Sequence, residues 1–418
     1  MAERTAPRRR AVLVAIVLLA ITLRPAVTAT SSLLRRIVDG VPLTVTEAGL
    51  LGSLPPFCFA AAGLLVPWLL RRLSAERIAV LLLVVAAGAQ VVRPWAPGAW
   101  AFLAASVVVL VAMGGGNVVL PPIVKAWFPD RIPQVTGAYL VAVTAGVAVP
   151  PLLSVPVADA VARATGSEVT GWRVSLALWG ALAAVVAVAW LVPAAHPRVV
   201  PVGRRPAGAQ PDAPHHRLSV WRSRVAWGVA LVFGFQSFAS YIGFTWLPTR
   251  LTDAGVGDQR AAVMLAVFGA MGLPASIVVP RLAARVRNTF ALVTAFAACM
   301  ATGYVGIALA PATLTLLWVL VAGWGSGLFP LALTLVNLRT RTPATAASLS
   351  AFSQGVGYLV AAAGPFSAGA VAGATGRWDL PFLLGAASMA FVVLGAWLAG
   401  RRTLEDDLEH AHALPATP

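Results

Sequence analysis

The run AVLVAIVLLAITLRPAVTATSSLL, Ala11 to Leu34, decides how this chain folds. It is long and apolar enough to cross a bilayer, yet Arg24 stands inside it. With a rise of about 1.5 Å per residue, a helix entering at Ala11 carries Arg24 about 20 Å into a hydrocarbon core of roughly 30 Å. An ionised side chain at that depth costs about 2.5–3.5 kcal/mol on insertion scales, so it faces a bundle interior or a wet cavity, usually on a substrate or ion path. On a helix, positions i, i+4, i+7 and i+11 share a face. From Arg24 that face carries Thr28, Ser31 and Arg35. A lone hydroxyl in a helix commonly bonds its own backbone, but a stripe beginning at a buried arginine reads as cavity lining. Pro25 removes a backbone donor and predicts a kink at the same place.

The rest of the chain agrees with a membrane interior. Of 418 residues, 59% are hydrophobic and 11% charged, and mean hydropathy is +0.83. Soluble domains carry about 25% charged residues. Apolar runs of spanning length recur between breaks near Gly40, Ser74, Pro97, Asp130, Gly166, Pro206, Gly255, Arg287, Pro311, Arg341 and Gly376, which predicts twelve spans. With the N-terminus on the cytoplasmic side, 22 of the 31 Lys and Arg fall at cytoplasmic junctions, 8 fall outside, and Arg24 alone lies within a span. This bias predicts an inner-membrane protein with both termini cytoplasmic. The net charge of +16 therefore serves topology and anionic headgroups, not nucleic acid. The first run has no cleavage pattern and reads as a retained helix. The tail LEDDLEH reads as a solvated end. Cys58 and Cys299 lie in apolar runs, without metal-ligand spacing, and read as structural thiols.

The expected organisation is an N-terminal six-helix bundle (1–192), a linker (193–222), a C-terminal six-helix bundle (223–400) and a cytoplasmic tail (401–418). The linker is rich in Pro, Ala and Arg, and His196, His215 and His216 in it read as solvated. The halves repeat. GGGNVVLPPIVKAWFP from Gly114 aligns with GWGSGLFPLALTLVNL from Gly323, matching Gly114 with Gly323, Gly116 with Gly325, Asn117 with Ser326 and Pro121 with Pro330. LLVPWLLRRL from Leu64 aligns with IVVPRLAARV from Ile277, and Ala164-Thr165-Gly166 recurs as Ala374-Thr375-Gly376. Parallel six-span repeats build transporters whose halves rock about a midplane site.

Twelve spans, a central linker and repeated halves resemble the major facilitator superfamily. LRPAVT, GSLPPFCF, GNVVLPPIVKAWFP, FGFQSFASYIGFTWLP, GLFPLALTLVNLRT and SLSAFSQGVGYLVAAAGP together resemble its cyanate permease / 2-nitroimidazole transporter branch. The resemblance implies an all-α membrane fold of two pseudo-symmetric six-helix bundles and transport of a small, planar, polar solute. The superfamily's loop after span 2 normally carries an Asp among basic residues. Here PWLLRRLSAER keeps Arg71, Arg72 and Arg77, with Glu76 as the acid available for that gate.

The candidate binding residues follow from the repeat. The counterpart of Arg24 in span 7 falls at Gln236 or Ser237, which lead to Ser240 and Tyr241 one turn on, with Trp246 beyond. Asn117 of span 4, and Gln354 with Tyr358 of span 11, complete the polar set. Lys125 and Arg339, near the cytoplasmic ends of spans 4 and 10, are candidates for gate or headgroup contact, and Lys125 is expected to snorkel. Pro55-Pro56, Pro121-Pro122, Pro150-Pro151, Pro274 and Pro365 are expected to interrupt spans 2, 4, 5, 8 and 11. No carboxylate lies at the centre of a span; Glu47 and Asp159 come nearest, so a buried carboxylate proton relay is not expected and proton coupling stays open.

These residues point to a secondary transporter of a small planar anion or polar heterocycle, with Arg24 as the ligand-binding charge. A functional monomer is expected, with no cofactor. Multidrug efflux on the same fold is the alternative, though a positive site suits cations poorly. A polytopic enzyme or sensor lacks a nucleophile–base pair or metal cluster at depth, and an ATP-driven pump lacks a phosphate-binding loop.

Overall fold

The computed structural model describes residues 6–195, 220–286, 289–400 and 402–413. The linker histidines lie outside these residues. Everything described is helix or short connection. Among the described residues, twelve spans are long and apolar enough to cross a membrane: span 1 (Arg8–Ser32), span 2 (Val45–Leu69), span 3 (Ala75–Trp95), span 4 (Ala99–Trp127), span 5 (Gln134–Thr165) and span 6 (Glu168–Ala195), then span 7 (Arg224–Asp253), span 8 (Asp258–Ala283), span 9 (Thr289–Leu309), span 10 (Thr315–Leu338), span 11 (Ser348–Thr375) and span 12 (Leu380–Ala399). The chain is a multi-pass membrane protein. The face where span 1 begins is called the terminal face below, and the opposite one the far face.

Local chemistry sets the helix starts. Thr44 and Glu47 form a reciprocal capping box at span 2, where the Glu47 carboxylate accepts from Thr44 N at 2.8 Å. Glu47 is thereby engaged in a cap. Ser74 and Ser223 cap spans 3 and 7, and Thr342 with Thr345 caps the helix of span 11.

The prolines of spans 1 and 8 break their helices as expected, and those of spans 2, 4, 5 and 11 do not. Spans 2, 4, 5 and 11 run unbroken through Pro55-Pro56, Pro121-Pro122, Pro150-Pro151 and Pro365. The breaks fall in spans 1, 8 and 10, and in each the helix restarts so that a proline occupies its first turn. Pro25 opens Pro25–Ser32, Pro274 lies in the first turn of Gly272–Arg285, and Pro330 in that of Leu328–Leu338. First-turn N–H groups have no intrahelical acceptor, so a proline there sacrifices no bond.

Spans 1–6 and spans 7–12 pack chiefly among themselves, with span 3 against span 6 mirrored by span 9 against span 12. The glycines of span 4 provide close packing: a Cβ at Gly114 would meet Phe59, at Gly115 Leu82, and at Gly116 Leu23. Two crossed pairs join the halves, span 2 with span 11 and span 5 with span 8. Both pairs close at the far face. Gly49 backs onto the Pro365 carbonyl and Phe366, and a Cβ on Gly52 would lie 2.5 Å from the Thr245 side chain. Gln259 reaches the Leu152 carbonyl at 3.5 Å. Towards the terminal face, the second half of span 8 barely meets span 5. The structure is thus shut at the far face and parted at the terminal face.

The acidic tail is not a solvated end. Leu404–Ala413 is a helix whose Leu404 and Leu408 are buried. Asp407 accepts from Ser223 Oγ at 2.5 Å, Glu405 from Thr345 Oγ1 at 2.6 Å, and Asp406 pairs with Arg341 at 2.5 Å. Leucines four apart and carboxylates aimed at three caps and loops explain the docking. Cys58 and Cys299 are both free; Cys58 is buried and Cys299 half-buried.

Candidate functional site

Span 1 breaks at Arg24. Its first helix ends at Thr22, and Arg24 stands as the N-cap of Pro25–Ser32 with φ −123° and ψ −20°. The guanidinium lies 5.1 Å from the Phe59 ring centroid of span 2, and its one acceptor among the described residues is the Leu23 carbonyl at 3.5 Å. No carboxylate among the described residues comes within 4.0 Å of it. A guanidinium carries five N–H donors in a rigid fork, so most of them have no protein acceptor. Although midway along the fold, Arg24 is only half-buried.

The other half supplies aromatic hydroxyls. Tyr241 of span 7 and Tyr358 of span 11 both lie within electrostatic reach of Arg24, and of each other. Tyr358 is held edge-on against Phe233 at 5.2 Å, and Tyr241 edge-on against Phe244 at 6.4 Å. Gln236 is buried; its Nε2 donates to Ser237 Oγ at 2.6 Å and Phe233 O at 3.2 Å, while its Oε1 has no donor. Gln354 is half-buried and donates to Ser350 Oγ at 2.6 Å. Asn117, also half-buried, spends one amide proton on Met113 O at 3.3 Å.

Other predicted residues lie elsewhere. Thr28 is buried and its hydroxyl reaches the Arg24 carbonyl at 3.4 Å; Ser31 bonds Val27 O at 3.0 Å. Both hydroxyls thus serve their own helix, and Arg35 is exposed at the far face. Trp246 is buried beside Trp378 and donates to Pro365 O at 3.0 Å, so it braces the closed far face. Arg71 and Arg72 are exposed, Arg72 over the Trp68 ring at 4.6 Å. Glu76 is buried and accepts from the Trp127 indole at 2.8 Å, tying span 3 to span 4. Lys125 is exposed. Arg339 clamps Thr289 Oγ1 at 2.7 Å and Gly400 O at 2.6 Å, joining spans 9, 10 and 12, and burial lowers its guanidinium below the ordinary arginine range.

Two arginines that the charge count assigns to loops take part in the packing of the spans. Arg36, just past span 1, pairs with Asp159 of span 5 at 2.7 Å and Asp258 of span 8 at 3.4 Å, bridging the halves at the far face. Arg93, ending span 3, is wholly buried. The sequence signal for Arg36 was Asp159, a carboxylate near the outer end of span 5. Nothing in the order of residues marks Arg93 as buried.

Residues 10–362 match the model of the Major Facilitator Superfamily. The chain is 29% identical to the 2-nitroimidazole transporter of Escherichia coli (strain K12) over 391 residues, 92% of this chain and 94% of that protein. It is 28% identical to the cyanate transport protein CynX of the same organism over 383 residues, 88% and 91% of the two chains. Among solved structures, a bacterial homologue of the human lysosomal transporter Spinster, inward-facing and unoccupied, superposes with a TM-score of 0.76 at 19% identity, covering 96% of this chain and 98% of that one. The chain belongs to the Major Facilitator Superfamily and is a membrane transporter, not an enzyme.

Proposed function

We propose that the chain carries a small planar anion, or a polar heterocycle with anionic character, across the cytoplasmic membrane by alternating access. The observation that carries this reading is Arg24: a guanidinium fork at the break of span 1, with no carboxylate among the described residues within 4.0 Å and with Tyr241 and Tyr358 of the other half within electrostatic reach. A planar ligand would stack in the space that Phe59 already borders, accept in-plane hydrogen bonds from the guanidinium, and be completed by the tyrosine hydroxyls and the side-chain amide of Gln354. The unsatisfied Oε1 of Gln236 adds an acceptor, which suits a ligand carrying an N–H. The relatives named for 2-nitroimidazole and cyanate have solutes of this kind. The terminal face, which gathers most of the positive charge, is then cytoplasmic, and the conformation described faces inward.

A thermal-shift screen of the purified protein with cyanate, nitrate, 2-nitroimidazole and imidazole tests the reading. Anionic or nitro ligands are expected to stabilise the wild type and not Arg24→Gln. Equal stabilisation of both proteins would place the site away from Arg24.

A further inference from the structure

Arg93 has the chemistry of a binding residue that the central site does not use. Its side chain is 0% exposed. Nη2 donates to Thr30 Oγ1 at 2.8 Å, Nη1 to Ser106 Oγ at 3.4 Å, and the guanidinium lies 5.3 Å from the Phe102 ring centroid. Both hydroxyls give their own protons to their helices, Thr30 to Ala26 O and Ser106 to Phe102 O, each at 2.7 Å. They are thus fixed as acceptors towards Arg93, but neither carries charge. Nε has no acceptor, and no carboxylate among the described residues lies within 4.0 Å. A buried cation is ordinarily paired; this one is held in place and left un-neutralised.

Beside it is a cavity of about 20 Å³, bordered by Thr30 and Ser31 of span 1, Gly52 and Pro55 of span 2, and Thr245 of span 7. On that measure a single water needs about 10–15 Å³, so the space already admits a small group. Thr245 belongs to the other half, so the cavity lies on the surface that parts when the far face opens. Ser31 also borders the small pocket at Arg36, and Leu34 and Ala48 also border a pocket of about 300 Å³ at the far face. The series leads inward to Ala26 and Val27, immediately beyond the Arg24 break. Thr30, which holds Arg93, stands about 9 Å along the helix from Arg24.

The geometry points to Arg93 as a second anion station, between the far face and Arg24, where a compact monovalent anion is bound by the Arg93 guanidinium with Thr245 closing from the opposite half. It rests on the reading of Arg24 as the central site. An anion entering from the far face reaches Arg93 first; one entering from the terminal face reaches Arg24 without passing it.

That order gives a sided test. Initial rates of radiolabelled cyanate entry are measured in right-side-out and inside-out membrane vesicles. Arg93→Gln is expected to raise the KM for entry from the far face by about tenfold, the worth of roughly one charge-assisted hydrogen bond, while KM from the terminal face stays within about twofold. Thr245→Val leaves the Arg93 bonds in place and should raise the far-face KM alone, as should Arg93→Lys, and these two carry the test if Arg93→Gln does not reach the membrane. An equal change from both faces, or none, would make Arg93 a structural tie between spans 1, 3 and 4 and overturn the proposal. Arg24→Gln should abolish entry from both faces. If it does not, while the Arg93 variants show the sided effect, the central-site reading fails and Arg93 is left as a far-face anion site on its own. No cyanate transport by the wild type would remove the anion reading of both residues.

Discussion

Replacing Asp258 with asparagine should loosen the far face by a calculable amount. Arg36 sits on span 1's extension, in the first half of the chain; Asp159 shares that half, and Asp258 lies across the interface. Opening the far face therefore breaks the Arg36–Asp258 pair and leaves Arg36–Asp159 intact. At 3.4 Å, with side-chain exposures of 19% and 37%, the cross-half pair is intermediate between a surface ion pair and a buried one. Exposed pairs contribute about 0.2–1 kcal/mol and charged hydrogen bonds about 1.5–3 kcal/mol, so a value near 1 kcal/mol is expected. That corresponds to about a fivefold shift in the ratio of far-face-open to far-face-closed molecules, since 1.4 kcal/mol is tenfold. Spin labels on Ala164→Cys and Arg260→Cys, both exposed ends of spans 5 and 8, with Cys58 and Cys299 replaced, would read the two populations as two distances. Asp258→Asn should enlarge the longer-distance population by that factor and remove its salt sensitivity. Asp159→Asn should not, because it frees Arg36 to hold Asp258. Equal effects from the two variants, or no effect from Asp258→Asn, would refute the assignment of this cluster as a cross-half latch.

Other substitutions test the packing by the same logic. A methyl at Gly52 would lie 2.5 Å from Thr245 and 2.9 Å from the Pro365 side chain, so Gly52→Ala should also populate the far-face-open state, read by the same label pair, and a wild-type distance distribution would contradict it. The docked tail predicts that Leu408→Ala, which removes a side chain 1% exposed, lowers stability by about 2–4 kcal/mol, seen as a lower thermal midpoint in detergent. A solvated tail would give no shift. Trp246→Phe loses the bond to Pro365 O and should destabilise by about 1 kcal/mol without altering ligand affinity, whereas a change in affinity would return Trp246 to the binding site.

The order of residues made the membrane fold legible because hydropathy at spanning length is a one-dimensional signal, and so was Arg24, whose charge breaks it. The repeat alignment also pointed across the interface to the region of span 7 that holds Gln236 and Tyr241. Helix breaks were less legible: spans 2, 4, 5 and 11 run through their prolines, and the breaks in spans 1, 8 and 10 fall where the helix restarts with a proline in its first turn. Thr28 and Ser31 were read as lining because they share a face with Arg24; both hydroxyls serve their own backbone, and Ser31 also borders the cavities beside Arg93 and Arg36. Arg93 and Arg36 escaped for a different reason. Each lies at a span end, where a positive charge is ordinary, and what makes each one matter is a partner from a distant part of the chain: Thr30 for Arg93, Asp258 for Arg36.

Counterflow in proteoliposomes tests the central claim most directly. Vesicles loaded with unlabelled cyanate or 2-nitroimidazole are diluted into labelled ligand, and exchange is followed for wild type, Arg24→Lys and Arg24→Gln. Losing a charged, forked contact of about 3 kcal/mol predicts at least a hundredfold slower exchange for Arg24→Gln and partial activity for Arg24→Lys. Exchange by Arg24→Gln at the wild-type rate, in protein that remains folded, would contradict the account.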